Sequence, residues 1–371
     1  MEKIRLGILG MGNMGNGHFH NVIEGKCPSV EVTAVCDTDA EKLVDVTEKY
    51  PAVKAFANPE TFLDSGLLDA VLIAIPHYDH PTFAIKCFHR GIHVLTEKPA
   101  GVYTRQVREM NEAAEASGVK FGIMFNQRTN PMYAKAREIV QSGELGELKR
   151  MVWIITNWYR SQAYYDSGTW RATWNGEGGG VLLNQAPHNL DLWQWIFGMP
   201  KRVRAFCEFG KYHHIDVEDD VTIFGQYENG ATATFITTTG DACGTNRLEI
   251  TGDKGKIVIE QGKLKWWKLT VPEREFCFTT KEGFAAPACE YEEFSQTEPE
   301  GHPQVLEAFA QSILNGTKMI AEGKEGINSL AISNAAYLST WTEDWVEIPS
   351  DEALFEKYLN KLCEKEDCSK K

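Results

Sequence analysis

A glycine-rich segment near the N-terminus has the residue types and spacing that bind the phosphates of a nucleotide. Residues 10–15 read Gly-Met-Gly-Asn-Met-Gly, which matches the pattern G-x-G-x-x-G. The segment follows a predicted strand and opens a predicted helix, so the first helical amide groups would face the phosphates. The first glycine permits a tight turn, the second lets the backbone approach a pyrophosphate, and the third lets helix and strand pack closely. A purely structural turn is the alternative.

A carboxylate occurs where such a site binds the adenosine ribose. Asp37 ends the second predicted strand, about 20 residues after the glycines, where an acidic side chain accepts hydrogen bonds from the ribose hydroxyls. A 2′-phosphate would meet Asp37 and Asp39 with no arginine adjacent in sequence, and like charges repel. The sequence therefore predicts NAD rather than NADP. A helix cap is the alternative role of Asp37.

A lysine closes another apolar strand. Residues 95–99 read Leu-Thr-Glu-Lys-Pro, and open parallel sheets bind ligands at the carboxyl ends of their strands. Taken alone, Lys98 is better explained as a surface lysine beside a turn proline.

A histidine lies within a strongly apolar segment of the second half. Helical periodicity over residues 178–197 places Asn184, His188 and Asp191 on one face. Polar groups in an apolar helix must find partners or cost free energy, so they pair in the core or line a wet cleft. A histidine found alone in such a segment is better explained as a core residue. Here the glycines before it and Lys98 elsewhere in the chain favour a position in a cleft. Pro187 should kink or restart the helix just before His188.

The stretch 158–174 is unusually aromatic and carries two arginines. Aromatic rings offer flat faces to a sugar, and Arg160 and Arg171 offer donors to its hydroxyls. Packing or an oligomer interface is the alternative. His213, His214 and His302 are further polar candidates for the same cleft, but no third ligand has a spacing that would make 213–214 a metal site.

The order of apolar runs indicates which elements position these residues. Up to about residue 125, short apolar runs alternate with amphipathic stretches, which predicts a parallel sheet with helices on both faces. After about residue 145, β-rich segments separated by short turns predict a mostly antiparallel sheet, with helices at about 178–197, 303–315 and 325–340. The fold class is therefore α/β. The predicted domains are a Rossmann dinucleotide-binding domain (1–125), an α+β domain with a large open sheet (126–345) and a C-terminal tail (346–371).

Composition excludes several classes of partner. The 371 residues carry a formal net charge of −14, so nucleic acid and anionic membrane surfaces are not expected partners. No apolar run approaches the roughly 20 residues of a membrane helix, and the N-terminus lacks a secretory h-region. Nine cysteines without a C-x-x-C pair indicate reduced thiols and no zinc site. A cytoplasmic protein is predicted.

These motifs together resemble the glucose–fructose oxidoreductase, inositol dehydrogenase and MocA family. The resemblance rests on residues 10–15, on Ile-Pro-His-Tyr-Asp-His at 75–80 and on Glu97-Lys98-Pro99, with further matches at 178–191, 217–220, 228–230 and 252–255. It spans roughly residues 3–345. It implies that Lys98 is catalytic and orients the substrate, that His188 accepts the proton, and that the Lys98–Pro99 bond is cis. It also implies a homo-oligomer through the C-terminal sheet.

The motifs and the resemblance together predict two sets of binding residues. The cofactor set comprises Gly10, Met11, Gly12, Asn13, Met14, Asp37, Ile75, Pro76, His80, Glu97, Lys98, Asn126 and Gln127. The substrate set comprises Tyr159, Arg160, Trp170, Arg171, Asn184, Gln185, Asp191 and His302.

One position departs from the family. Members with an inositol-type site carry aspartate four residues before the histidine, where this sequence has Asn184. An amide can orient an imidazole but cannot stabilise its charged form, so His188 would be a weaker base unless Asp191 takes over that role.

The predicted function is an NAD-dependent dehydrogenase that oxidises a secondary ring hydroxyl of a sugar, glycoside or cyclitol. Within this class the favoured substrate is a pyranose, free or as a glycoside, oxidised at a ring hydroxyl such as that on carbon 3, and a free cyclitol is its main rival. The glycine run 178–180 would leave room beside the cofactor for an aglycone. Two alternatives stay open: an NAD-dependent glycosidase that oxidises transiently and eliminates the aglycone, and a regulator that binds NAD without turnover.

Overall fold

The structure, a computed structural model, describes residues 2–296 and 301–369. The chain divides into an N-terminal unit (1–129 with 300–330) and a C-terminal unit (130–299 with 331–371). Residues 300–330, which the sequence assigns to the second domain, therefore group with the first.

The N-terminal unit is built on a six-stranded parallel sheet. Its strands are β1 (Ile4–Leu9), β2 (Val30–Cys36), β3 (Lys54–Phe56), β4 (Ala70–Ile73), β5 (His93–Thr96) and β6 (Phe121–Ile123). Their order is β3-β2-β1-β4-β5-β6. Every residue of β4 is buried, because a parallel sheet covered on both faces needs apolar side chains in both directions. The predicted parallel sheet is confirmed.

The C-terminal unit contains a nine-stranded, mostly antiparallel sheet, which confirms the predicted fold class. Its strands are β7 (Leu148–Ile155), β8 (Arg202–Phe209), β9 (Glu218–Gln226), β10 (Thr232–Thr238), β11 (Asn246–Gly252), β12 (Gly255–Glu260), β13 (Lys263–Leu269), β14 (Cys289–Ser295) and β15 (Val346–Glu347). The order is β14-β13-β12-β11-β7-β10-β9-β8-β15, and β7 and β10 run parallel. Buried and partly exposed residues alternate along β9, as in a strand with one face against the core.

Helices connect and cover these strands. They are α1 (Asn13–Ile23), α2 (Glu41–Lys49), α3 (Pro59–Leu63), α4 (Asp79–Phe88), α5 (Thr104–Ser117), α6 (Pro131–Gln141), α7 (Gln162–Tyr165), α8 (Pro187–Phe197), α9 (Glu273–Thr279), α10 (His302–Asn315), α11 (Gly326–Thr342) and α12 (Glu352–Ser369). Within the described residues, none is long and apolar enough to span a bilayer.

Helix α10 belongs to the core of the N-terminal unit. Its buried residues Val305, Leu306 and Phe309 join the same apolar cluster as Leu6 and Ile8 of β1. Burying an aliphatic or aromatic side chain contributes about 1.5–3 kcal/mol, so this packing explains why the segment groups with the parallel sheet.

Two sequence expectations differ from the structure. The helix predicted from residue 178 begins only at Pro187, because a proline without an N–H fits the first helical position and not the interior. Asn184 therefore lies in the turn before α8 and does not share a helical face with His188 and Asp191. The segment predicted as a tail contains β15 and α12. Glu366 of α12 is buried, and its carboxylate accepts the amides of Trp174 and Asn175.

Candidate functional site

The register of the parallel sheet brings the predicted cofactor residues to one edge. Leu9 of β1 pairs with Cys36 and Ile73, and Thr96 pairs with Ile73 and Ile123. The segments that follow these residues therefore leave the sheet side by side. This edge is where open α/β sheets bind their ligands.

The glycine turn after β1 fits a pyrophosphate. Gly10 has φ +95°, and a Cβ on Gly15 would lie 1.8 Å from the carbonyl oxygen of Gly10, so both positions require glycine. A Cβ on Gly12 would meet no described atom within 4 Å, which leaves open space beside the backbone. Among the described residues, no side chain caps α1 and none in its first turn is acidic. Its amides can therefore bind an anion.

Asp37 is held in place by the same turn. Its Oδ2 accepts the Met11 amide at 2.8 Å, and its Oδ1 accepts the Asp39 amide at 2.9 Å. The Lys42 ammonium lies 3.5 Å from the Asp37 carboxylate and 3.7 Å from the Asp39 carboxylate, so a cation is present here although no arginine is adjacent in sequence. The carboxylate can accept from ribose hydroxyls, while Lys42 reduces the repulsion that a 2′-phosphate would meet.

His80 connects two loops of this edge. Its side chain is buried, with Nε2 2.7 Å from the carbonyl oxygen of Ile75 and Nδ1 2.8 Å from that of Pro99. Burial lowers the pKa of His80, and the two carbonyl acceptors oppose that change. Because both ring nitrogens face main-chain oxygens, His80 positions the loops after β4 and β5, including Pro76, and does not offer a nitrogen to a cofactor.

Glu97 forms a buried cluster beside Lys98. Its Oε1 lies 2.7 Å from Nε2 of the buried His18, and its Oε2 accepts the Lys98 amide at 3.2 Å. Burial by itself would raise the pKa of Glu97, but the hydrogen bond and charge of His18 and the charges of Lys98 and His302 lower it to about 2. Glu97 is therefore ionised at neutral pH. The Lys98–Pro99 bond is cis, as predicted, and Lys98 is half-buried.

His302 lies among cofactor residues. It starts α10, with its ring 5.4 Å from that of His18, and its Nδ1 is 3.5 Å from Nδ2 of Asn126. Asn126 and Gln127 are buried in a 3₁₀ turn that follows β6. The structure thus groups His302 with the N-terminal unit and not with the other predicted substrate residues. Sequence reasoning missed His18, whose signal was its place one turn beyond the glycines.

In the C-terminal unit, the turn before His188 is held by Glu218. The side-chain carboxylate of this buried residue accepts the amides of Gly180 and Leu182, both at 2.8 Å. The main-chain carbonyl oxygen of Glu218 accepts the amide of Val181. Burial raises the pKa of Glu218 to about 7, although these backbone hydrogen bonds oppose the change. His188 follows, half-buried, in the first turn of α8.

The glycine run does not leave the room that the sequence suggested. A Cβ on Gly179 would lie 2.1 Å from the Tyr337 hydroxyl, and one on Gly180 would lie 2.0 Å from the Glu218 carbonyl oxygen. These glycines allow close packing within the unit, so they provide no space for an aglycone.

Asn184 has a carboxylate behind it. Its Nδ2 donates to the buried Glu177, whose other oxygen accepts the Ala172 amide at 2.7 Å. Its Oδ1 accepts from Gln185 Nε2 at 3.0 Å and from the Tyr164 hydroxyl at 3.4 Å. The carboxyl group that the family carries at position 184 is therefore replaced here by one that lies one hydrogen bond away, on Glu177. Sequence reasoning missed Glu177, although an acidic residue directly before three glycines was a visible signal.

Asp191 follows His188 on α8. It is buried on α8 and accepts from Gln194 Nε2 at 2.9 Å.

The aromatic residues of the stretch 158–174 include both buried and exposed rings. Tyr165 and Trp174 are buried: the Tyr165 hydroxyl pairs with Thr239, and the Trp174 ring packs against Trp341. Tyr159 is half exposed and Trp170 is partly exposed. Packing therefore explains part of the stretch, and the rest offers rings at the surface of the unit.

Tyr159 lines a cavity of about 400 Å³ in this unit. The other lining residues are Ser161, Gln162, Tyr212, His213, His214 and Gly240. His213 is engaged on both nitrogens, with Nδ1 2.9 Å from Asp219 and Nε2 2.8 Å from the Arg160 carbonyl oxygen. It therefore supports the wall of the cavity.

Known proteins share both halves of this architecture. Residues 4–125 match the family described as an oxidoreductase family with an NAD-binding Rossmann fold, and residues 133–258 match the GFO/IDH/MocA C-terminal domain.

Individual relatives are distant. The rhizopine catabolism protein MocA of Rhizobium meliloti is 28% identical over 53% of this chain and 58% of its own length. The myo-inositol 2-dehydrogenase of Thermotoga maritima is 24% identical over 90% of this chain and 95% of its own. The structure of the WlbA dehydrogenase from Chromobacterium violaceum, with NADH and UDP-GlcNAcA, is 26% identical with a TM-score of 0.81, covering 95% of this chain and 97% of that one. Since the two family matches cover more than half of the sequence, the chain belongs to the Gfo/Idh/MocA family of oxidoreductases, with NAD as its cofactor.

Proposed function

We propose that the chain oxidises a secondary ring hydroxyl of a sugar or cyclitol, with His188 as proton acceptor and Lys98 orienting the hydroxyl. The observation that carries the proposal is the placement of Lys98. It follows β5 at the ligand-binding edge of the sheet, next to the ionised Glu97 and among the residues that fit a dinucleotide.

Oxidation of the alcohol removes a hydride from its carbon and a proton from its hydroxyl group. When bound, NAD accepts the hydride that leaves the carbon. The proton of the hydroxyl needs a base that works near neutral pH, and a histidine such as His188 meets that need. The developing negative charge on oxygen needs a nearby cation, and the Lys98 ammonium supplies one.

The substrate within this class is proposed to be a pyranose, free or glycosidic, oxidised at a ring carbon such as carbon 3. The exposed rings of Tyr159 and Trp170 in the C-terminal unit suit the C–H face of such a ring. Asn184 in place of aspartate separates the chain from the inositol pattern. The names of the relatives, a myo-inositol dehydrogenase and a dehydrogenase bound to a nucleotide sugar, support a polyhydroxylated ring.

We also propose a cytoplasmic homo-oligomer that associates through the C-terminal sheet. Phe206 of β8 is 55% exposed, as suits a strand face that pairs with another copy. All nine cysteines are free thiols, which suits a reducing compartment.

A substrate panel tests the proposed reaction. Methyl glucoside, glucose and myo-inositol would each be incubated with NAD, with NADH absorbance and product mass as readouts. We expect a ketone and stoichiometric NADH from a pyranose. Free sugar without net NADH would show transient oxidation and elimination, whereas NAD binding without any product would show a regulator. Turnover of the cyclitol alone would contradict the pyranose assignment.

A further inference from the structure

Two arginines of the C-terminal unit flank one tyrosine ring. The guanidinium carbons of Arg160 and Arg171 lie 5.1 and 4.6 Å from the centroid of the Tyr164 ring, so they are less than 10 Å apart. Arg171 also donates to the Tyr164 hydroxyl at 2.9 Å and stacks on Trp170. Within the described part of the chain, neither arginine forms an ion pair, although acidic residues outnumber basic ones by 52 to 38.

The main chain of Arg160 is fixed from both sides. Its amide donates to the carbonyl oxygen of the buried Thr239 at 3.0 Å, and its carbonyl oxygen lies 2.8 Å from Nε2 of His213. His213 is in turn held by the fully buried Asp219. The guanidinium donates to the Tyr159 carbonyl oxygen at 2.9 Å. The main chain that carries this cation is therefore anchored to buried residues of the unit.

The arginine pair is connected to the turn that precedes His188. The Tyr164 hydroxyl, which accepts from Arg171, donates to Asn184 Oδ1 at 3.4 Å and lies 3.4 Å from Gln185 Nε2. Helix α8 with His188 begins two residues later. The two cations and the proposed base thus belong to one continuous part of the same unit.

We infer that Arg160 and Arg171 recognise a negatively charged group on the sugar, such as the carboxylate of a uronate or a sugar phosphate. Guanidinium groups match the oxygens of carboxylates and phosphates with charge-assisted hydrogen bonds, which are stronger than bonds to neutral hydroxyls. Partly buried cations without a carboxylate partner gain most from an anionic ligand. In a chain of net charge −14, local cations are also needed to offset long-range repulsion of an anion.

The inference rests on the proposed sugar oxidation and names its substrate class. The experiment compares matched sugars that differ only in charge: glucose, glucuronate and glucose 6-phosphate, with galactose and galacturonate as a second pair. We expect kcat/KM with NAD to be about 10- to 100-fold higher for a charged member, mainly through a lower KM. Preference for the uronate would identify a carboxylate, and preference for the phosphate would identify a phosphate ester.

Variants separate charge recognition from general damage. Arg171→Gln and Arg160→Gln should each remove most of the preference, whereas Arg171→Lys should keep part of it. Arg274→Gln is the matched control, because Arg274 is an exposed arginine of the same unit and its loss changes the net charge equally. Thermal unfolding of each variant would show that the fold is retained.

A binding measurement distinguishes failure of the inference from failure of the proposed function. All ten tryptophans lie in the C-terminal unit, so their fluorescence reports on that unit while the NADH-loaded protein is titrated with glucuronate, glucose 6-phosphate or glucose. Tighter binding of a charged sugar by the parent than by Arg171→Gln supports the inference even without turnover. Equal kcat/KM or equal binding of charged and neutral sugars overturns the inference, and turnover of the neutral sugars in that case leaves the proposed oxidation standing.

Discussion

Replacing Glu218 with glutamine should remove a pH-dependent part of the stability of the C-terminal unit. The side chain is fully buried and its two oxygens accept the amides of Gly180 and Leu182. Burial raises its pKa from 4.5 to about 7. The folded chain therefore binds a proton at this carboxyl more tightly than the unfolded chain.

The sign and size follow from proton linkage. Because the pKa is higher in the folded state, the stabilising contribution is fully present below pH 4.5 and is lost as the pH rises to about 7. At about 1.4 kcal/mol per pH unit, the shift of the pKa from 4.5 to about 7 corresponds to about 3.5 kcal/mol. The free energy of unfolding should thus fall by about that amount through Glu218 alone between pH 4.5 and pH 8.

Urea unfolding followed by tryptophan fluorescence measures this effect, because all ten tryptophans lie in the C-terminal unit. Glu218→Gln should be less stable at acid pH by about 1–3 kcal/mol, since its amide N–H would face one of the two backbone donors. Its pH dependence should be flatter than that of the parent. Glu208→Gln, at an exposed glutamate of β8, is the control and should leave the slope unchanged. Identical slopes in the parent and Glu218→Gln would refute the reasoning.

Three further predictions concern the site. Lys98→Ala and His188→Ala should each lower kcat by about 100-fold or more while NADH fluorescence still shows binding; near-normal turnover would remove that residue from the mechanism. The parent should use NAD with higher kcat/KM than NADP; Asp37→Ser should narrow the difference and Lys42→Ala should widen it, whereas equal use of both cofactors by the parent would be contrary to the assignment. Asn184→Asp should lower the melting temperature, because its carboxylate would face that of Glu177. Combining it with Glu177→Gln should restore stability and move the acid limb of the pH–rate profile upward, and an unmoved limb would show that His188 is not the titrating base.

The strands that the sequence predicts well are those that can be recognised from their own residues, without knowledge of the neighbouring strand. β1 and β5 are such strands: each is a short, mostly apolar segment, Ile-Arg-Leu-Gly-Ile-Leu and His-Val-Leu-Thr, followed at once by a turn glycine or by charged residues. β14 was missed, because its sequence Cys-Glu-Tyr-Glu-Glu-Phe-Ser is exposed and acidic. It pairs with β13 through ion pairs of Lys263 with Glu293 and of Lys268 with Glu292. Such complementarity appears only once the two strands are adjacent.

The residues of the candidate site also divide into those found from short motifs and those that depend on contacts with distant residues. The glycine turn and the lysine after β5 are short motifs whose role depends on neighbouring residues. The hydrogen bond of His18 to Glu97 joins residues 79 positions apart, and that of Glu177 to Asn184 depends on a turn that helical periodicity misassigned. Periodicity detects which face is apolar, but it does not indicate which distant polar group satisfies a buried one.

Buried carboxylates are the common device that fixes the loops of both units. Loop amides have no strand or helix partner, and a carboxylate can accept several of them at once. Glu97 accepts the amide of Lys98, Glu218 accepts two amides of the turn before His188, and Asp219 accepts those of residues 211–213. Removing such a carboxylate would leave buried donors unsatisfied and displace the loop. A loss of activity on mutation of Glu218 or Asp219 therefore would not show contact with the substrate; a matching loss of stability would identify the loop support as its cause.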